Sequence, residues 1–138
     1  MGQQAEIERR VARLYAEYAR AVDDGDLVAL RAMVADDVVI TRGGETFPGV
    51  EEFMAVYQGV VDAGVPCQHA VTGLLVDATP GGGLRVRAYF RALFFDATGT
   101  RLVVGRYDDD LVEVDGHLRF AHKRNLVERV VALPASSI

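Results

Sequence analysis

Two residues of the sequence combine the chemistry and the surroundings that proton transfer needs. Asp23 falls at the predicted end of the first helix, where the negative end of the helix dipole disfavours a carboxylate anion. An apolar pocket would disfavour that anion further, which suits a carboxyl group that gives or takes a proton. His69 lies on a predicted strand, and its imidazole can exchange a proton near pH 7. The sequence therefore offers Asp23 and His69 as a candidate acid/base pair.

Each of these two residues also has a purely structural interpretation. Aspartate is common at turns, and Asp24 and Asp26 beside Asp23 are interpreted as a solvated side chain and the N-cap of the second helix. His69 shares a strand face with small and apolar residues, where a histidine either faces a pocket or bonds a backbone carbonyl in the core. The other residues of that face are Cys67, Val71, Gly73 and Leu75.

Composition excludes several classes of function. The formal net charge is −5, whereas nucleic-acid-binding proteins usually carry an excess of lysine and arginine. The longest uncharged run falls short of the ~18 apolar residues of a membrane span, so no membrane partner is expected. The single cysteine, Cys67, cannot form an internal disulfide, and the sequence shows no signal peptide, so we expect a cytoplasmic location. Without a CxxC motif or a Cys/His cluster, we expect no metal site and no cofactor.

The apolar spacing predicts the elements that must position the two residues. The 138 residues predict a single domain, 1–138, with 133–138 as a frayed tail. Apolar residues three and four apart predict helices over 3–22, 27–34 and from Val50 to near Gly64, with a short strand at 38–40. Four long strands with short turns follow, at Cys67–Ala78, Leu84–Asp96, Arg101–Val114 and His117–Val131. This order predicts an α+β fold in which a strongly curved, mainly antiparallel sheet wraps three N-terminal helices as a half-open cone.

Four short motifs occur in an order that is informative together. They are Tyr15 to Leu30 around Asp23-Asp-Gly-Asp26, His69-Ala-Val-Thr72-Gly73, Gly105-Arg106-Tyr107-Asp108-Asp109, and Asp115-Gly116-His117-Leu118-Arg119-Phe120. In these motifs the chain resembles, over nearly its whole length, the SnoaL-like branch of the nuclear transport factor 2-like superfamily. The resemblance implies the cystatin-like cone, with a deep apolar pocket between helices and sheet.

The resemblance also implies roles for particular residues. It favours Asp23 and His69 as catalytic, and it suggests Tyr18, five residues before Asp23, as a hydrogen-bond donor to a substrate carbonyl. The expected pocket wall and substrate contacts are Leu14, Phe53, Tyr57, Phe90 and Tyr107.

The leading hypothesis is a cofactor-independent lyase or isomerase of the scytalone dehydratase or polyketide cyclase type. It would dehydrate, isomerise or cyclise a hydrophobic, polyketide- or steroid-like small molecule by acid/base proton transfer. The alternative is a non-catalytic ligand-binding or partner-subunit module of the same fold. Gly73 stands where the family often has Asn, and Ala92-Leu93-Phe94 lacks the second His or Asp of many dehydratases. Under either hypothesis we expect a homodimer through the sheet.

Overall fold

Three helices come first in the chain and two of them are bounded by glycine. The computed structural model describes residues 2–134. The helices are α1 (Gly2–Asp24), α2 (Leu27–Ala32) and α3 (Val50–Ala63). Gly25 follows α1 and Gly64 follows α3, both at positive φ, where a residue without Cβ ends a helix at little cost. Asp26 caps α2, accepting a hydrogen bond from the Ala29 N–H at 3.0 Å.

Six strands form one unclosed, curved sheet. They are β1 (Val34–Arg42), β2 (Glu45–Pro48), β3 (Cys67–Ala78), β4 (Leu84–Asp96), β5 (Gly99–Val114) and β6 (His117–Pro134). Their order across the sheet is β2-β1-β6-β5-β4-β3, and all neighbours are antiparallel except β1 and β6. The α+β fold and the four long strands are thus confirmed.

The alternation along β4 distinguishes the two faces of the sheet. Val86, Ala88 and Phe90 are buried, and we call their side the inner face. Arg87 and Tyr89 between them are exposed and mark the outer face, because successive side chains of a strand point to opposite sides. The core lies between the inner face and the helices, and it includes Val11, Tyr15, Leu30, Phe53 and Phe120.

Gly73 interrupts β3 with an irregularity in its pairing. The register with β4 shifts between Thr72 and Leu75, and Gly73 has φ +65° with the Tyr89 ring packed where its Cβ would be. Gly73 therefore lies at an irregularity of the β-bulge kind, a place where strands often carry glycine.

Several boundaries differ from the sequence predictions. No strand is predicted from the sequence at Glu45–Pro48, but these residues form β2, which pairs with β1 as a short hairpin at the edge of the sheet. α2 ends at Ala32, because Val34 already belongs to β1. β6 continues to Pro134, so Leu133 and Pro134 are strand and not frayed tail, while 135–138 lie outside the described residues. None of the described helices is long and apolar enough to cross a membrane.

Candidate active site

Asp23 and His69 contact each other directly, although 46 residues separate them. Asp23 occupies the last turn of α1, and His69 lies near the start of β3. The imidazole Nδ1 is 2.7 Å from Asp23 Oδ1. The backbone N–H of His69 also donates to both carboxylate oxygens, at 3.0 and 2.9 Å. Two independent contacts therefore fix the carboxylate against the strand.

The direction of this hydrogen bond sets the tautomer of the imidazole. An ionised carboxylate only accepts hydrogen bonds, so Nδ1 must carry the proton that it donates to Asp23. In the neutral ring this leaves a lone pair on Nε2. Nε2 makes no hydrogen bond to any residue between 2 and 134, and it is not sealed from solvent. Nε2 therefore has an unbonded lone pair that can accept a proton.

Cys67 is the third member of this group. Its Sγ lies 3.6 Å from Asp23 Oδ1, because Cys67 and His69 are two residues apart on β3 and share a strand face. Burial raises the pKa of the Cys67 thiol to about 11, and the nearby Asp23 carboxylate adds to that rise. A protonated thiol is a poor nucleophile, so the chemistry of this site belongs to the imidazole.

Asp23, Cys67 and His69 together correct one sequence expectation. The sequence was interpreted as having no Cys/His cluster, but ligand atoms of these three side chains lie within 4.8 Å of one another. In the sequence, Cys67 and His69 form only a Cys-x-His pair, and two ligands alone do not indicate a metal-binding cluster. Its third member comes from α1 and becomes a neighbour only through the fold.

His69 lines a large cavity. The cavity measures about 1080 Å³. Its inner-face lining includes Tyr18, Tyr57, Phe90 and Tyr107 together with His69. The lining also includes outer-face residues, so this volume covers an inner chamber together with an adjoining groove. Asp23 is not part of the lining and stands behind His69.

Tyr18 and Tyr57 form a hydroxyl pair in the wall of this cavity. Their two OH groups are hydrogen-bonded to each other, and both side chains are buried. Burial raises the pKa of both Tyr18 and Tyr57. Both hydroxyls therefore stay protonated. One hydroxyl hydrogen is used in the bond between the two tyrosines, and the other is left to donate to an oxygen in the cavity.

The expected substrate contacts separate into two groups. Tyr57, Phe90 and Tyr107 line the cavity, and Phe90 stacks on Tyr107 with ring centroids 4.4 Å apart. Leu14 and Phe53 do not line it; both are buried in the core. Their helical spacing indicates an apolar face correctly, but it cannot tell core positions from pocket positions on that face.

A buried charged cluster beside the cavity was missed by the sequence analysis. The Lys123 Nζ lies 3.0 Å from Asp109 Oδ2, and both side chains are fully buried. Tyr15 OH donates to the same carboxylate at 2.5 Å. Lys123 also donates to Asn125 Oδ1 at 2.6 Å and sits 3.2 Å from the centre of the Tyr107 ring. Lys123 is the only lysine in the chain, which is the one signal that marks it.

Comparison with known proteins identifies relatives by family and by fold. A family model described as a SnoaL-like domain matches residues 3–124. No curated protein matches the chain.

Several solved structures resemble this chain over most of its length. A scytalone dehydratase-like protein from Novosphingobium aromaticivorans is 17% identical, with a TM-score of 0.84 over 99% of this chain and 94% of that one. A hexachlorocyclohexane dehydrochlorinase, LinA type 2, is 17% identical, with a TM-score of 0.80 over 98% and 93%. ActVI-ORFA from Streptomyces coelicolor is 16% identical, with a TM-score of 0.74 over 88% and 98%. At these identities the likeness shows the fold alone.

Proposed function

The chain belongs to the SnoaL-like domain family and has the cone fold of nuclear transport factor 2-like proteins, and from this premise we propose that it is a cofactor-independent lyase or isomerase. Its substrate is a hydrophobic small molecule of polyketide- or steroid-like character that carries a carbonyl or hydroxyl group. Among its structural neighbours are dehydratases, a dehydrochlorinase and cyclases. The names dehydratase and dehydrochlorinase denote the loss of water and of hydrogen chloride, two eliminations that remove a proton together with a leaving group.

The observation that carries the proposal is the Asp23–His69 contact at the edge of the cavity. His69 is the general base, since Nε2 is unbonded and its ring lines the cavity. Asp23 is a positioning residue: it holds Nδ1–H and the backbone N–H of His69, and it does not reach the cavity itself. This differs from the sequence hypothesis, in which Asp23 exchanges the proton directly.

The second part of the mechanism is stabilisation of the negative charge that proton removal creates. When a base takes a proton from the carbon beside a carbonyl, charge moves onto the carbonyl oxygen. The Tyr18–Tyr57 pair lies in the buried wall of the cavity and offers that oxygen the one hydroxyl hydrogen that the two tyrosines do not share. Phe90 and Tyr107 provide the flat apolar surface that binds the body of the substrate. A leaving group beside the proton then gives elimination, and its absence gives isomerisation.

A proton-exchange experiment tests this function without knowledge of the natural substrate. The probe is 2-tetralone in D₂O, and the measurement is the NMR loss of its α-proton signals with and without the protein. We expect catalysed exchange that falls by about 10²- to 10⁴-fold in His69→Gln. His117→Gln is the matched control, because His117 is exposed at the start of β6. Equal exchange in wild type and His69→Gln would refute the role of His69.

A binding module is the second candidate, and one observation favours it. Residues 92–94 contain no histidine or aspartate, and Ala92 is buried in the cavity wall, so His69 has no second ionisable partner from that strand. A binding module would take up the probe without accelerating its exchange. Saturation-transfer NMR on the same samples separates these two outcomes.

We also propose that two copies of the chain associate through the outer face of the sheet. Large apolar side chains are exposed there, and the helices cover only the inner face. Directly paired strand residues share a face. Tyr89 and Leu126 are both paired with Arg106, so they lie together on the outer face.

We also propose that the protein acts in the cytoplasm, because the free thiol of Cys67 is consistent with a reducing compartment.

A further inference from the structure

The base of the proposed active site is also part of a three-donor group of a kind that holds transition metals. Cys67, His69 and Asp23 offer one thiol, one imidazole nitrogen and one carboxylate, all within 4.8 Å of one another. Zn²⁺ prefers this mixture of sulfur, nitrogen and oxygen ligands. In a tetrahedral zinc site, ligand atoms lie about 3–4 Å apart. The 3.6 Å between Cys67 Sγ and Asp23 Oδ1 already falls in that range. The 2.7 Å between His69 Nδ1 and Asp23 Oδ1 is shorter, so these two atoms must separate when the ion replaces the proton between them.

Two features of the surroundings favour a cation at this point. Asp23 lies in the last turn of α1, and the carbonyls at the end of a helix form the negative end of its dipole. Among residues 2–134, no lysine or arginine contacts the Asp23 carboxylate; its only ion-pair partner is His69. The carboxylate is largely buried, with its side chain 17% exposed, so a bound cation would supply the charge that the protein itself does not.

We propose that Asp23, Cys67 and His69 form a binding site for a thiophilic divalent cation such as Zn²⁺, and that occupation of this site switches off His69 as a base. The switch rests on the proposed function, whereas the binding site does not. In the site, the ion takes the place of the proton between Nδ1 and Asp23. The thiol releases its proton to water when sulfur binds the ion. Three protein ligands leave a fourth position for water, the arrangement of an open zinc site.

The switch follows from the two nitrogens of the imidazole. A neutral ring carries one proton, and a metal on Nδ1 leaves that proton on Nε2. Nε2 then has no lone pair with which to take a proton from a substrate. The ion thus inverts the tautomer that Asp23 imposes in its absence. Inhibition by this route needs no contact between the ion and the cavity.

Cobalt spectroscopy tests the site directly, since Co²⁺ substitutes for Zn²⁺ and gives a near-ultraviolet charge-transfer band when bound to thiolate. We expect one Co²⁺ per chain with this band, displaced by one equivalent of Zn²⁺. Because Cys67 is the only cysteine, Cys67→Ser must abolish the band. Zn²⁺ affinity, measured against a chromophoric chelator, should fall at least about tenfold in Cys67→Ser and Asp23→Asn. His117→Gln is the control and should keep wild-type affinity.

A second test of zinc binding uses ¹⁵N NMR of the wild-type protein, and it depends neither on catalysis nor on any variant. The ¹⁵N shifts of His69 in the wild-type protein should change from the Nδ1–H to the Nε2–H tautomer on addition of one equivalent of Zn²⁺. Should Cys67→Ser fail to fold, Cys67→Ala replaces it. The proposal is overturned by the absence of a thiolate band in wild type, by unchanged zinc affinity in the folded cysteine variant, or by an unchanged tautomer. Failure of 2-tetralone exchange would instead contradict the proposed function and leave these three results standing.

Discussion

At the scale of single residues, the least expected feature is a fully buried lysine next to the cavity. Lys123 is paired with Asp109 and packed over the Tyr107 ring. Taking a charged ammonium group out of water is costly, and the paired carboxylate offsets only part of that cost. Burial lowers the pKa of Lys123 to about 8, with Asp109 acting in the opposite direction. Burial also raises the pKa of Asp109, against the effect of Lys123.

The single lysine allows a direct measurement of this ionisation. In protein labelled with ¹³C-lysine, one side-chain signal belongs to Lys123, and we expect it to titrate near pH 8 instead of near 10.5. The unfolded chain then holds a proton that the folded chain has lost between these two values, so the free energy of unfolding rises with pH across that window. A signal that titrates near 10.5 would contradict the expectation that burial outweighs the attraction of Asp109.

At the scale of elements, the close contact between β5 and β6 depends on Gly105. The register of these two strands shifts between Val104 and Gly105. A Cβ at Gly105 would lie 2.3 Å from the Leu126 carbonyl oxygen and 2.5 Å from the Phe90 ring. The missing side chain lets Phe90 stack against Tyr107, and this stack forms part of the cavity wall. The close approach of β5 and β6 at Gly105 therefore helps to shape the wall of the cavity.

Substitution of glycine by alanine should have opposite effects at two positions. Gly105→Ala should lower the free energy of unfolding by about 1–3 kcal/mol, because the added methyl group has no space and the strands must separate. Gly59→Ala is the matched control: Gly59 is exposed in α3 with nothing within 4 Å of its would-be Cβ. That change should stabilise the protein by up to about 1 kcal/mol. Urea unfolding measures the free energy of unfolding of each variant. Equal stability of Gly105→Ala and wild type would contradict the close packing of Leu126 and Phe90 against Gly105.

The elements differ in how much the sequence reveals about them. The helical spacing and the glycines after α1 and α3 are local signals, and they place the helices within a few residues. β2 carries only four residues on an edge, with Gly43-Gly44 before it, and its pairing with β1 overrides the turn signal. Asp23 and His69 could be proposed as partners from the family motifs. The position of Cys67 beside His69 follows from their two-residue spacing on β3. The pairing of Lys123 with Asp109 depends on a contact between neighbouring strands, which no local pattern contains.

At the scale of the whole molecule, the outer face of the sheet combines charged pairs with exposed apolar side chains. Arg85 bonds Asp108 at 2.5 and 2.8 Å, and Arg124 reaches Asp110 at 3.0 Å. These ion pairs join neighbouring strands of the sheet. Beside them, Leu126 is 59% exposed and Leu133 is 45% exposed. A second copy of the chain would remove these apolar surfaces from water.

The mass in solution tests this association. Light scattering after size exclusion should give twice the chain mass of 15.0 kDa for wild type and the single-chain mass for Leu126→Glu/Leu133→Glu, because buried glutamates are costly. Val28→Glu is the control: Val28 is 84% exposed on α2, away from the sheet, and its substitution should leave the mass unchanged. A wild-type mass of one chain would refute the dimer.

The tautomer of His69 tests the central claim most directly. ¹⁵N-labelled protein contains three histidines, and the His69 signals are assigned by their loss in His69→Gln. Above neutral pH, without metal, we predict a proton on Nδ1 and a free lone pair on Nε2 in wild type. In Asp23→Asn that preference should be lost. A wild-type ring that carries its proton on Nε2 would contradict the account, because His69 would then have no lone pair facing the cavity.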